Sequence, residues 1–144
     1  MPENTKEYPE DWKRVWQAAV QVRERAHARY SGFRVGAALK LTNKNALFVG
    51  CNVENASYGA TMCAERNAIF QLVATCGGVR EEAYLILVTD TKEPTVPCAL
   101  CLQVLAEFFY PHLPIFLANL EGIQERVTLG DLLPRPFTNF EPES

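Results

Sequence analysis

The chain predicts an α/β domain of about five strands and three main helices, and three features of its patterning carry that expectation. A helical period of apolar residues opens the chain, short β-rich runs alternate with further helical faces, and turn residues mark the transitions. Trp12, Val15, Trp16, Ala19, Val22 and Ala26 recur at helical spacing. Glu10 and Asp11 fall in the first turn and Arg23, Arg25 and Arg29 near the end, the order that a helix dipole favours. Tyr30-Ser31-Gly32 breaks this helix. Residues 35–41 and 46–53 then read as two strands joined through Thr42-Asn43-Lys44-Asn45 in a hairpin. The polar stretch 54–61 leads into a helix over 63–75, with Ala68, Ile69, Leu72 and Val73 on one face and Gly77-Gly78 as its stop. Residues 83–89 are almost continuously apolar, as expected of a strand buried on both faces. A loop through Pro94 and Pro97 precedes a helical stretch over 98–109; 115–119 and 125–129 read as short strands, and 130–133 as a last helical turn.

Composition narrows the function classes. A chain of 144 residues fits one domain, here 1–144, and an apolar fraction of 48% disfavours disorder. Fourteen basic against 17 acidic side chains leave a net charge of −3, with no run of Lys or Arg to track a phosphate backbone, so no nucleic-acid partner is expected. No apolar stretch approaches the roughly 20 residues needed to cross a bilayer, so no membrane partner is expected either. Five cysteines, an odd count, and no apolar signal segment over residues 1–10 indicate a reducing, cytoplasmic setting.

The chemistry concentrates in Cys63-Ala64-Glu65 and Pro97-Cys98-Ala99-Leu100-Cys101. Three thiols suit three protein ligands of a zinc ion, with the fourth position left to water and a carboxylate, Glu65, beside it as proton shuttle. Both segments fall at predicted helix starts, where free backbone N–H groups and the dipole favour thiolate. Three thiolates and a dication sum to a negative charge, and Arg66 is the side chain placed to offset it by bonding a ligand sulfur. Cys51 and Cys76 fit core packing better than ligation. His27 and His112 read as solvated surface residues. Two other classes were open at this level: a structural zinc interaction module, for which Cys51 is the only nearby fourth ligand, and a thiol-redox protein using Cys98-x-x-Cys101.

Further segments agree in order and spacing. Tyr30-Ser31-Gly32-Phe33-Arg34-Val35-Gly36-Ala37-Ala38-Leu39, Glu54-Asn55-Ala56-Ser57-Tyr58, Cys63-Ala64-Glu65-Arg66 and Pro97 to Val104 together resemble the small, homotetrameric, three-cysteine cytidine deaminases, over about residues 16–137. The resemblance implies a three-layer α/β/α sandwich with a mixed five-stranded sheet. It implies one zinc per chain on Cys63, Cys98 and Cys101, attack of water on C4 of a cytosine nucleoside, and Glu65 moving protons to ring N3 and the departing amino group. The backbone N–H of Ala64 matches the donor to the tetrahedral oxygen. Asn52 and Glu54 match the ribose 3′-hydroxyl contacts and Phe33 the aromatic against the base. Tyr58 and Phe137 match residues that enter a neighbouring subunit's site in a homotetramer with shared active sites. The implied reaction converts cytidine and deoxycytidine to uridine and deoxyuridine in pyrimidine salvage; deamination of a modified cytosine nucleoside or a blasticidin-like antibiotic is the alternative. Ala99, Leu100, Leu102 and Arg34 depart from the family's usual Gly, Ala, Arg and Pro, and bear on base or sugar selectivity more than on the reaction.

Overall fold

The computed structural model describes residues 7–78 and 80–138; the outermost ends of the 1–144 domain expected from sequence lie outside them. Helix α1 (Trp12–Arg23) is followed by β1 (Val35–Leu41), β2 (Leu47–Cys51), a single 3-10 turn (Tyr58–Ala60) and α2 (Ala64–Cys76). Then come β3 (Ala83–Thr89), α3 (Ala99–Phe108), β4 (Pro114–Asn119), β5 (Gly122–Thr128) and a one-turn α4 (Leu129–Leu132). The strands form one sheet in the order β2-β1-β3-β4-β5. β3 and β4 pair parallel and the other neighbours antiparallel, so the sheet is mixed. The parallel pair requires a crossover, and α3 supplies it.

Alternation along the strands splits the core into two layers. Ala37, Leu39, Leu85, Leu87, Ile115 and Leu117 face α2 and α3, packing with Ile69, Leu72, Leu102 and Leu105. Ala38, Ile86, Val88 and Phe116 face the other way, toward Val15 and Ala19 of α1. Helices therefore cover both faces, and β3, at the centre of the sheet, is buried at all seven positions. Burying each such aliphatic side chain contributes about 1.5–3 kcal/mol, which is what holds these short helices against the sheet.

Two glycines set how closely the helices lie. A Cβ at Gly36 would stand 2.0 Å from the Ala19 carbonyl oxygen, and one at Gly50 would stand 2.3 Å from the Ala64 oxygen and 2.6 Å from the Ala68 nitrogen. The first turn of α2 thus rests directly on the backbone of β2.

Several sequence expectations are corrected. α1 ends at Arg23, so Glu10 and Asp11 precede it and Arg25 and Arg29 lie beyond it. Asp11 faces the sheet instead, accepting from the Tyr84 hydroxyl at 2.6 Å with the buried Lys40 ammonium 3.7 Å away. Burial raises its carboxyl, but these partners outweigh it and hold the group below the usual range. β5 begins at Gly122, three residues before the alternation suggests, because pairing with β4 continues across an irregularity at Leu117/Ala118. Cys76 is exposed at the end of α2 and not a core residue, whereas Cys51 is half-buried. His112 is exposed, as expected, with its ring nitrogen 2.8 Å from a Glu82 carboxylate oxygen.

Candidate active site

Cys63 is the residue before α2 and Cys98 the residue before α3, both in extended conformation. Their carbonyls accept the first helical bonds, from Asn67 and Leu102. A side chain at this position points off the helix end, and Cys101 lies one turn further along α3. The three sulfurs consequently meet. Cys63 Sγ is 3.8 Å from Cys98 Sγ, Cys98 Sγ is 3.4 Å from Cys101 Sγ, and all three lie within 4.8 Å of one another. Zinc–sulfur bonds of about 2.3 Å in tetrahedral geometry place sulfurs about 3.8 Å apart, so this soft donor set fits zinc in both spacing and chemistry. Among the described residues no fourth ligating side chain joins the group.

The charges around the sulfurs are compensated locally. Arg66 donates through Nη2 to Cys63 Sγ at 3.5 Å. The Cys101 thiol and this guanidinium hold the Cys63 thiol down at about 5 against the cost of its burial. Cys101 is pushed up by its bond to Cys63, by burial and by the neighbouring Glu65. Glu65, in the first turn of α2, is only 4% exposed, and that burial, with the Cys63 charge adding to it, pushes its carboxyl up to about 7. A carboxyl with that value can both hold and release a proton near neutral pH.

Beside the sulfurs is a cavity of about 250 Å³ lined by Phe33, Asn52, Glu54, Cys63, Ala64, Glu65 and Cys98, together with Thr61, Thr89, Thr95 and apolar neighbours. Ala64 stands at the first helical position of α2, where a backbone N–H has no intrahelical partner. Asn52 is buried and spans the loop before β1: Oδ1 accepts from Val35 N–H at 2.9 Å and Nδ2 donates to the Phe33 carbonyl at 2.8 Å. Glu54 accepts from the backbone N–H groups of Tyr30 and Ser31, each at 3.0 Å, and from the Ser31 hydroxyl. The Ser31 hydroxyl foremost, then these N–H groups, hold its carboxyl below the usual range despite some burial. Backbone pairing of His27 with Asn52 and Glu54 ties the same loop to the end of β2.

Tyr58 and Phe137 do not line this cavity in the single chain. Tyr58 is 78% exposed and packs edge-on to Tyr30 beside Glu54. Phe137 is 66% exposed, with its backbone held at both N–H and C=O by the Gln103 amide. The departures from the family pattern also stand outside the cavity. Leu102 is buried in the core layer under α3, Leu100 is exposed, and Arg34 turns to Glu24. Sequence reasoning missed Ser31 as the anchor of Glu54, and Thr61, Thr89 and Thr95 as cavity wall. The one local signal was a hydroxyl-rich exit, Thr89, Thr91 and Thr95, from an otherwise apolar strand.

A family model described as the cytidine and deoxycytidylate deaminase zinc-binding region matches residues 9–116. The chain is 43% identical over 128 residues to a cytidine deaminase of Halalkalibacterium halodurans, covering 89% of this chain and 95% of that one. It is 42% identical over 128 residues to a cytidine deaminase of Sporosarcina psychrophila, covering 89% and 92%. The crystal structure of cytidine deaminase from Burkholderia pseudomallei superposes with a TM-score of 0.81 at 44% identity, covering 87% of this chain and 98% of that one.

Proposed function

The chain belongs to the cytidine deaminase family, and we propose that it hydrolytically deaminates cytidine and deoxycytidine to uridine and deoxyuridine with release of ammonia. The observation that carries this reading is the meeting of three cysteine sulfurs from two helix starts beside the buried Glu65 in one nucleoside-sized cavity. Cys63, Cys98 and Cys101 would hold the zinc, which when bound supplies the Lewis acidity that makes water nucleophilic at neutral pH. Glu65 takes one proton from the attacking water at its carboxylate and gives it to ring N3 as oxygen adds at C4. It then takes the second proton from the hydroxyl now on C4 and passes it to the amino nitrogen, so that the C4–N bond breaks, ammonia leaves and the C4 carbonyl forms. The Ala64 N–H, at the positive end of α2, donates to the entering oxygen.

Glu54 and Asn52 face the sugar, each retaining acceptor or donor capacity beyond the loop bonds it makes. Phe33 packs against the base. Arg66 offsets the sulfur charge. Tyr58 and Phe137, exposed rings on anchored backbone, complete the site of a neighbouring subunit in a homotetramer. The single domain works in the cytoplasm, in pyrimidine salvage; among the described residues no helix is long and apolar enough to cross a membrane. Leu102 is buried in the core layer under α3, so its departure from the family pattern does not favour an altered nucleoside or antibiotic as substrate. A structural zinc module is disfavoured because such sites close with four protein ligands.

The test is a continuous ultraviolet assay of cytidine and deoxycytidine conversion, with zinc measured on the same preparation. Turnover with about one zinc per chain supports the reading; zinc-loaded protein inert toward both nucleosides would overturn it.

A further inference from the structure

Two threonines of the cavity wall, Thr89 at the end of β3 and Thr95 in the loop after it, bond to a third, Thr91, which stands behind the lining and whose hydroxyl proton is directed by a backbone carbonyl. Thr91 Oγ1 donates to the Glu93 carbonyl oxygen at 2.7 Å. A carbonyl only accepts, so the single hydroxyl proton of Thr91 is committed there. Thr91 Oγ1 also lies 2.8 Å from Thr89 Oγ1 and 3.2 Å from Thr95 Oγ1. With its own proton used, Thr91 must accept in both contacts, and two lone pairs are all that a hydroxyl has. Thr89 and Thr95 therefore aim their protons at Thr91 and keep only oxygen lone pairs for other partners. Both line the cavity shared by Glu65, Cys63 and Cys98, and Thr89 is 1% exposed, so bulk water does not compete freely for it.

We infer that the Thr89 and Thr95 hydroxyl oxygens form an acceptor-only wall that selects a pyrimidine bearing an exocyclic amino group over one bearing a carbonyl, with Thr91 as the positioning residue. The orientation rests on the deaminase reading. C4 must sit beside Glu65 and the sulfurs, and Thr89 and Thr95 line the same cavity of about 250 Å³ as these groups, so the amino group on C4 is assigned to this wall. Its N–H groups meet acceptors. In the product the same ring position carries an oxygen, an acceptor set against acceptors, which favours release. The wall thus distinguishes substrate from product by hydrogen-bond polarity, without any charged group.

Thr91→Val reverses the polarity without touching the cavity lining: the Thr89 and Thr95 protons are freed and can be donated to a carbonyl. The expected result is a shift of about 3- to 10-fold, the worth of one hydrogen bond, in the ratio of uridine inhibition constant to cytidine KM, toward tighter uridine. Thr95→Val should instead raise cytidine KM by a similar factor, and Thr95→Ser, which keeps the oxygen, should restore it. A merely structural role for Thr91 would weaken both nucleosides together, and that outcome, or an unchanged ratio, overturns the inference. Wild-type protein that fails to turn over cytidine counts against the deaminase reading alone; equilibrium binding of cytidine and uridine to the same variants then reads the wall, and equal wild-type affinity for the two overturns it.

Discussion

Asn52 offers a prediction in which the fold and the site are separable. It is 8% exposed and holds the loop before β1 by two bonds, from Val35 N–H to Oδ1 at 2.9 Å and from Nδ2 to the Phe33 carbonyl at 2.8 Å. Asn52→Ala removes both. The half-buried Val35 N–H is left without that partner, at about 1–3 kcal/mol, while the Phe33 carbonyl, on a residue 41% exposed, regains water and costs about 0.5–1 kcal/mol. Together these give a destabilisation of about 1.5–4 kcal/mol. For a domain of this length each kcal/mol moves Tm by about 3–5 °C, so Tm should fall by about 5–20 °C. Asn52→Asp should do no better, because its second carboxylate oxygen would face the Phe33 carbonyl. The assay is thermal unfolding followed by circular dichroism on zinc-loaded protein, with nucleoside KM measured in parallel. Both should change, since Phe33 and Val35 line the cavity. A raised KM with unaltered Tm would refute the bracing role and leave Asn52 as a sugar contact alone.

Three further outcomes follow from the same geometry. The folded-state value of Glu54 lies below the ordinary 4.5, so its tether to Ser31 is fully present above that pH and is lost as pH falls through the lower folded value. Denaturant unfolding of wild type and Glu54→Gln should therefore show a stability gap that is constant above pH about 4.5 and closes in acid; a gap independent of pH would remove the carboxylate from the tether. Gly50→Ala places a Cβ against the Ala64 oxygen and Ala68 nitrogen and should cost about 1–3 kcal/mol or more. Because it pushes on the turn carrying Cys63 and Glu65, zinc content should fall with it, whereas full stability and full zinc would show that α2 does not lie as close as described. Arg66→Gln should lower zinc affinity by about 10- to 100-fold in competition with a chromophoric chelator, and unchanged affinity would mean that the guanidinium does not support the sulfurs.

Periodicity made much of the fold legible. The buried strand over residues 83–89 was recoverable to the residue because an apolar run bounded by polar turns has one reading. Both cysteine segments fell at helix starts in sequence and in structure, since Gly, Pro and polar residues punctuate the chain just before them. The end of α1 was misplaced because Ala26 continues the helical period after the backbone has left the helix, its N–H bonding instead to the Arg23 carbonyl. Tertiary pairing, invisible to local pattern, decided that boundary and the early start of β5. The sulfurs and Glu65 were visible as chemistry. The Glu54 tether, the Asn52 brace and the threonine wall were not, because each depends on contacts between segments that a linear reading keeps apart. Cys76 was misread for a different, local reason: it was assigned by residue type, whereas its place at the last position of α2 leaves it in solvent.

The central proposal is that Glu65 moves the protons while the three cysteines only hold the metal. Glu65→Gln keeps the side chain's shape in a site where burial has already pushed the carboxyl up to about 7, so fold and metal binding should survive. Cytidine turnover and zinc content measured on one preparation of that variant provide the most direct test. The expected result is about one zinc per chain with turnover reduced by about 10²–10⁴-fold or more; a zinc-loaded Glu65→Gln protein that deaminates cytidine at near the wild-type rate would contradict it.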